Sequence, residues 1–197
     1  MVTAKPATGL ELVGGNPALD LANTLDGPRD GPPGADSLLT YADLARWAVH
    51  AGVLDDPPAA GPADGARVLA RAHALRAAVY DTFRAVAAGE PPPAEALEVL
   101  AAEHAEAARH GRLAPSGTAF VLAWDADAPD RVLWPLAQSA VDLLRHGPLD
   151  RVKACAECRW LFVDASRNRS RRWCSMNECG GRLKMRRYRA RRATADR

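Results

Sequence analysis

Apolar residues recur at helical spacing through most of the first 150 positions of this chain. Val68, Leu69, Leu75, Val79, Phe83 and Val86 mark one long helix over 65–88, with Arg71, Arg76 and Arg84 facing elsewhere. Gly89 stops it, and Pro91–Pro93 lead into a further helix over about 94–109. Asn16 followed by Pro17 predicts a short helix over 17–25, with a capping side chain and then a proline where its missing N–H costs little. Thr40 with Asp43 three residues on resembles a capping box for a helix over 41–51 that ends at Gly52. The run PLAQSAVDLLRH predicts a last helix over 135–146. Two proline- and glycine-rich loops, 27–37 and 55–65, separate these elements.

Strand patterns are fewer. Leu10–Val13 predicts a short strand broken by Gly14–Gly15. Phe120–Trp124 is apolar and aromatic, and the turn DADAPD separates it from Val132–Trp134, which predicts a β-hairpin. The expected fold class is mainly α with a small antiparallel β-hairpin (α+β), divided near position 150 into a helical part, 1–150, and a smaller part, 151–197. There are no internal repeats. No stretch approaches the roughly 18 apolar residues of a membrane span, and MVTAKPATGLELVGG has no continuous apolar core for a signal peptide. We therefore expect a cytoplasmic protein without a membrane partner, and the bias toward Ala, Arg, Gly and Pro suggests a GC-rich bacterial genome.

Charge changes the picture. The formal net charge of the whole chain is +2, but 151–197 holds fifteen Lys or Arg against four acids, a net of +11, which leaves −9 on the first 150 residues. An acidic body joined to a basic, anion-seeking segment is the implied organisation.

The four cysteines all fall in that basic segment. Cys155, Cys158, Cys174 and Cys179 have the spacing C-x2-C-x15-C-x4-C. Two close pairs let four sulfurs converge on one point, as a tetrahedral zinc site requires, and a reducing compartment favours metal over disulfide. Four thiolates leave no open coordination position, so the expected cofactor is one structural Zn2+. In so small a unit, metal binding would contribute most of the folding free energy. Cys155 and Cys158 bracket a tight knuckle, Trp160–Val163 predicts a strand, and Cys179 begins a helix over about 180–192. This knuckle, hairpin and helix order resembles a treble-clef finger. Leu183, Met185 and Tyr188 are the expected packing side chains of the helix, and Trp160 and Trp173 read as packing residues of the miniature core.

The bases form two clusters: Arg167, Arg169, Arg171 and Arg172 in a polar loop, then Arg182, Lys184, Arg186, Arg187, Arg189, Arg191 and Arg192 on the helix. Arginine suits bidentate phosphate contact and recognition of guanine edges, which points to nucleic acid. An acidic protein surface remains an alternative, as does a merely solvated face. DNA is the favoured partner and RNA the other nucleic-acid reading, because an arginine helix fits the wide DNA major groove better than the narrow A-form one. A dimer would suit symmetric DNA sites, but nothing in the sequence marks a dimer interface.

The residues over 155–191, CAECRWLFVDASRNRSRRWCSMNECGGRLKMRRYRAR, resemble the CGNR zinc finger, a module of bacterial transcription regulators. The upstream pieces LVGGNPALDLANTL, YADLARWAVHAGVL and LWPLAQSAVDLL resemble the ABATE domain that precedes that finger. The resemblance implies a zinc-dependent DNA-binding regulator with a regulatory domain over 1–150. One position departs from the family signature: Cys179, Gly180, Gly181 and Arg182 stand where the family has Cys-Gly-Asn-Arg, so any hydrogen bond made by that asparagine is lost.

In the helical part, Asp20, Asn23 and Thr24 lie one turn apart on an otherwise apolar helix. With Trp47 and Arg76 they could line a small-molecule pocket; equally, they could be buried polar groups satisfied by backbone and Arg76. No Gly-rich phosphate loop, GxSxG or HExxH occurs and no cysteine is spare as a nucleophile, so no catalytic residue is expected.

Overall fold

The computed structural model describes residues 6–124, 128–182, 184–186 and 192. Among these described residues, five named α-helices and two small antiparallel hairpins make a mainly helical α+β fold. The helices are α1 (Pro17–Ala22), α2 (Tyr41–His50), α3 (Pro62–Ala88), α4 (Ala94–His110) and α5 (Trp134–His146).

Each start follows its local chemistry. The Asn16 side chain accepts from the Ala18 amide at 2.9 Å, with Pro17 in the first turn of α1. Thr40 and Asp43 form both bonds of a capping box on α2. Gly89 ends α3 at φ +74°, where a side chain would be strained.

The strands differ from expectation in two places. Leu10–Val13 is not a strand. Phe120–Trp124 does lie in a hairpin, but β2 (Ala119–Trp124) pairs with β1 (Gly111–Ser116) upstream and not with Val132–Trp134. A two-residue turn joins them, with Gly117 at φ +60° supplying the positive φ that primed hairpin turns need. Val132, Leu133 and Trp134 instead enter the core at a 3₁₀ turn and the start of α5. Apolar character alone does not separate a strand from a buried helix start.

The long helix α3 is the spine. It packs on α1, α2 and α4 on the helical side, and on the second hairpin, β3 (Val152–Ala154) with β4 (Leu161–Val163). Leu19, Leu21, Trp47, Leu75, Phe83 and Leu136 lie in the same apolar cluster as Leu161, Phe162 and the four cysteines. Arg71 on α3 pairs with Glu103 on α4 and with Asp130, tying the outer helices together. Among the described residues, no helix is long and apolar enough to cross a membrane.

Candidate metal centre

The second hairpin positions the first pair of sulfurs. Even-numbered residues of β4 and its flanks bond to β3: Cys155 N–H donates to Trp160 O at 2.9 Å, and Asp164 N–H to Arg151 O at 2.8 Å. The chain between them turns tightly through Cys155 and Cys158. The second pair comes from Cys174 and from a single π-helical turn, Met176–Gly180, that carries Cys179. The helical segment thus begins before Cys179, four residues earlier than expected, and continues through 181, 182 and 184–186.

All four sulfurs are buried and lie within 4.8 Å of one another. Cys174 Sγ is 3.6 Å from both Cys158 Sγ and Cys179 Sγ. Sulfurs at about 2.3 Å from a tetrahedral zinc stand about 3.8 Å apart, whereas a disulfide needs about 2.05 Å. The sulfurs therefore fit zinc.

As bare thiols the cluster is electrostatically awkward. Hydrogen bonds from Cys158 and Cys174 push the Cys155 thiol down, whereas the neighbouring sulfurs push Cys158 and Cys174 up, and burial raises Cys179. A divalent cation removes that conflict by neutralising charge where four thiolates meet.

Asp164 holds the basic loop that follows β4. It is 0% exposed, and its carboxylate accepts from Lys153 Nζ at 2.6 Å, Ser166 N–H at 2.9 Å and Arg171 N–H at 3.1 Å. Burial alone would raise it, but these donors outweigh burial and hold it well below the usual carboxylate range. In the sequence Asp164 is only one of the four acids of the basic segment.

The bases divide by what they touch. The Arg171 guanidinium lies over the Phe162 ring at 4.3 Å, and it donates to Trp173 O and Cys174 O, bracing the second ligand pair. Arg172 lies over Trp173. Arg169 pairs with Asp150, Arg182 with Glu178 and Arg186 with Glu157. Arg167, Arg169, Arg172, Arg182, Lys184, Arg186 and Arg192 are exposed. Arg187, Arg189 and Arg191 lie outside the described residues, as do Leu183 and Tyr188. Met185, expected to pack, is instead 51% exposed. Trp160 is buried, and Trp173 packs against the core.

Of the candidate pocket residues in the helical part, Asp20, Asn23, Thr24 and Arg76 meet protein partners, whereas the buried Trp47 indole N–H has none among the described residues. Arg76 donates to both oxygens of Asp36 at 2.6 Å and to Thr24 Oγ1 at 3.2 Å. Thr24 Oγ1 donates to Leu21 O. Asp20 accepts from Gly14 N–H at 2.7 Å, and burial pushes its pKa up to about 6. Trp47 is 0% exposed on α2. Asn23 reaches neither Arg76 nor Asp20; it bonds to Leu161 in the zinc segment.

Residues 15–147 match the family model ABATE, whose description reads "Putative stress-induced transcription regulator". The chain belongs to the ABATE family. Residues 151–192 of this family member match the CGNR zinc finger. That match and the convergence of four sulfurs together indicate zinc binding. Neither family description names a catalytic activity. No curated protein matches the chain. At Gly181, where the finger family has asparagine, the backbone is right-handed helical at φ −63°, and a Cβ would meet nothing closer than Met176 O at 3.4 Å. The backbone therefore does not require glycine there.

Proposed function

We propose that this ABATE-family protein is a cytoplasmic DNA-binding transcription regulator in which one structural zinc, on Cys155, Cys158, Cys174 and Cys179, sets the pose of an arginine-rich surface. The supporting observation is the charge division: a segment of net +11 built around the metal centre beside a body of net −9. Its exposed bases are Arg167, Arg169 and Arg172 on the Asp164-braced loop and Arg182, Lys184, Arg186 and Arg192 beyond the ligands, with Arg187, Arg189 and Arg191 completing the set in sequence. Arg171 belongs to the same cluster and shapes the loop. The pairs to Asp150, Glu178 and Glu157 sit at the surface, where an ion pair is worth about 0–1 kcal/mol, so a phosphate can replace the carboxylate. The helical body would receive a signal or mediate assembly.

Anisotropy of a labelled duplex, read across salt, tests the proposal. Several phosphate contacts give a slope of log K against log salt of about −5 or steeper. Absence of binding near ~50 mM salt, in a sample whose zinc is confirmed by metal analysis, overturns the DNA reading. Tighter binding of a structured RNA competitor would move the conclusion to an RNA adaptor.

A further inference from the structure

The two family matches stop and start at residues 147 and 151, as if the zinc segment were a module hung on the helical body. The contacts across that junction are more intimate. Odd-numbered residues of β4 point away from β3, so their backbone groups form an open edge. The body fills it. Asn23, 4% exposed just past α1, donates from Nδ2 to Leu161 O at 2.9 Å and accepts at Oδ1 from Leu161 N–H at 2.8 Å. A primary amide carries the donor and acceptor of a peptide unit, so Asn23 pairs with β4 as a neighbouring strand would. Two residues on, Val163 N–H donates to Gly14 O at 2.8 Å.

The first knuckle is braced by the loop after α1. Arg159 N–H donates to Gly27 O at 3.2 Å, Arg29 donates to Cys155 O at 3.3 Å, and Pro28 bridges to Cys158 by backbone. Gly27 holds φ +145°, and a Cβ there would lie 3.0 Å from Gly34 N and 3.1 Å from Pro32 O. That φ, with the loop folded closely onto itself at Pro32 and Gly34, favours glycine at this position. A cleft of about 220 Å³ between this loop and Arg182 and Arg186 reaches Cys158 and Cys179.

We infer that Asn23 and the Gly27–Arg29 loop are positioning residues of the metal centre, although none supplies a sulfur. The body provides the outer edge of the zinc hairpin and a brace on its first knuckle. Zinc binds the assembled ligand set, so affinity depends on α1 and its loop, and zinc occupancy in turn stabilises the helices by linkage. The inference rests on zinc binding and is independent of the DNA reading.

The test uses the full chain loaded with zinc. Asn23→Ala should speed chelator-driven zinc release about tenfold, the effect of losing two buried hydrogen bonds. Asn23→Gln, which keeps both amide functions, should recover part of the loss. Arg29→Ala, a milder change, should act in the same direction and decides the matter if Asn23→Ala folds poorly by circular dichroism. In cobalt-substituted Asn23→Ala the thiolate charge-transfer bands should persist, because the ligands remain. Leu100→Ala, on α4, which packs on α3, α5 and β1, should lower the melting temperature without changing zinc release below the transition. Removing zinc from the unaltered protein should lower the temperature at which the helices melt. Release rates equal to the unaltered protein's in both Asn23→Ala and Arg29→Ala would overturn the inference. So would equal acceleration by Leu100→Ala, or a helical melt indifferent to zinc.

Discussion

The helical body and the zinc segment are both buried structures stabilised by different means. In the body, leucine, alanine and aromatic side chains on α1, α2, α3 and α5 exclude water, and stability is spread over many contacts. In the zinc segment two three-residue strands and one π-helical turn add only a few side chains, chiefly Trp160, Leu161 and Phe162, to that same cluster, and four sulfurs converge beside them. The aspartates show the same division. Asp20 in the body accepts too few hydrogen bonds to offset burial and is raised; Asp164 beside the finger meets an ammonium and two amides and is lowered. A distributed apolar core tolerates single losses better than a four-ligand centre, where each ligand is essential.

The largest way to break that contrast is Cys174→Ser. We expect zinc content to collapse and residues 151–182 to lose their ordered structure, because metal binding in such units is worth about 10–16 kcal/mol. Metal analysis with amide exchange reads it, and retained zinc in the variant would contradict the four-sulfur centre. Next, Phe83→Ala in α3 should destabilise the protein by about 3–5 kcal/mol in urea unfolding while the folded variant keeps its zinc. Arg76→Ala should cost about 3 kcal/mol, since it strips Asp36 of its bidentate partner and Thr24 of a donor. A neutral result at Arg76 would mean that its pair with Asp36 contributes nothing net to the folded state.

A smaller effect comes from pH. Asp20 is raised from 3.8 to about 6, so between those values the folded state binds more proton than the unfolded one and stability falls as pH rises. Asp20→Asn keeps an acceptor for Gly14 N–H and should remove that slope, giving a higher urea midpoint above pH 6. Asp164 acts in the opposite sense: its contribution is present above the ordinary carboxylate range and is lost only in strong acid, as pH falls through its lowered pKa. The smallest change is Gly181→Asn. It should leave zinc content unaltered and raise stability by no more than about 0.5 kcal/mol, the gain of replacing a helical glycine. A lower melting temperature would mean that Met176 O cannot accommodate the new side chain.

Local chemistry is what this sequence carried on its face. Caps at Asn16, Thr40 and Gly89 act over a few residues, the periodicity of Val68 to Val86 and the spacing of Cys155 to Cys179 over a single short segment each, and all reappear in the structure. The partner of Phe120–Trp124 is not legible, because the proline-bearing β1 shows no apolar alternation and the apolar run 132–134 carries the stronger strand pattern. Asn23 looked like a neighbour of Asp20 and Arg76, yet it serves a strand 138 residues away. Composition and spacing alone determined that the chain has an acidic helical part and a basic metal-binding part. Only the tertiary structure decided that Asn23, Gly14 and Gly27 belong to the surroundings of the metal. The open edge of β4 is a set of backbone groups, and backbone groups have no sequence signature; which side chain satisfies them depends on where the rest of the chain folds.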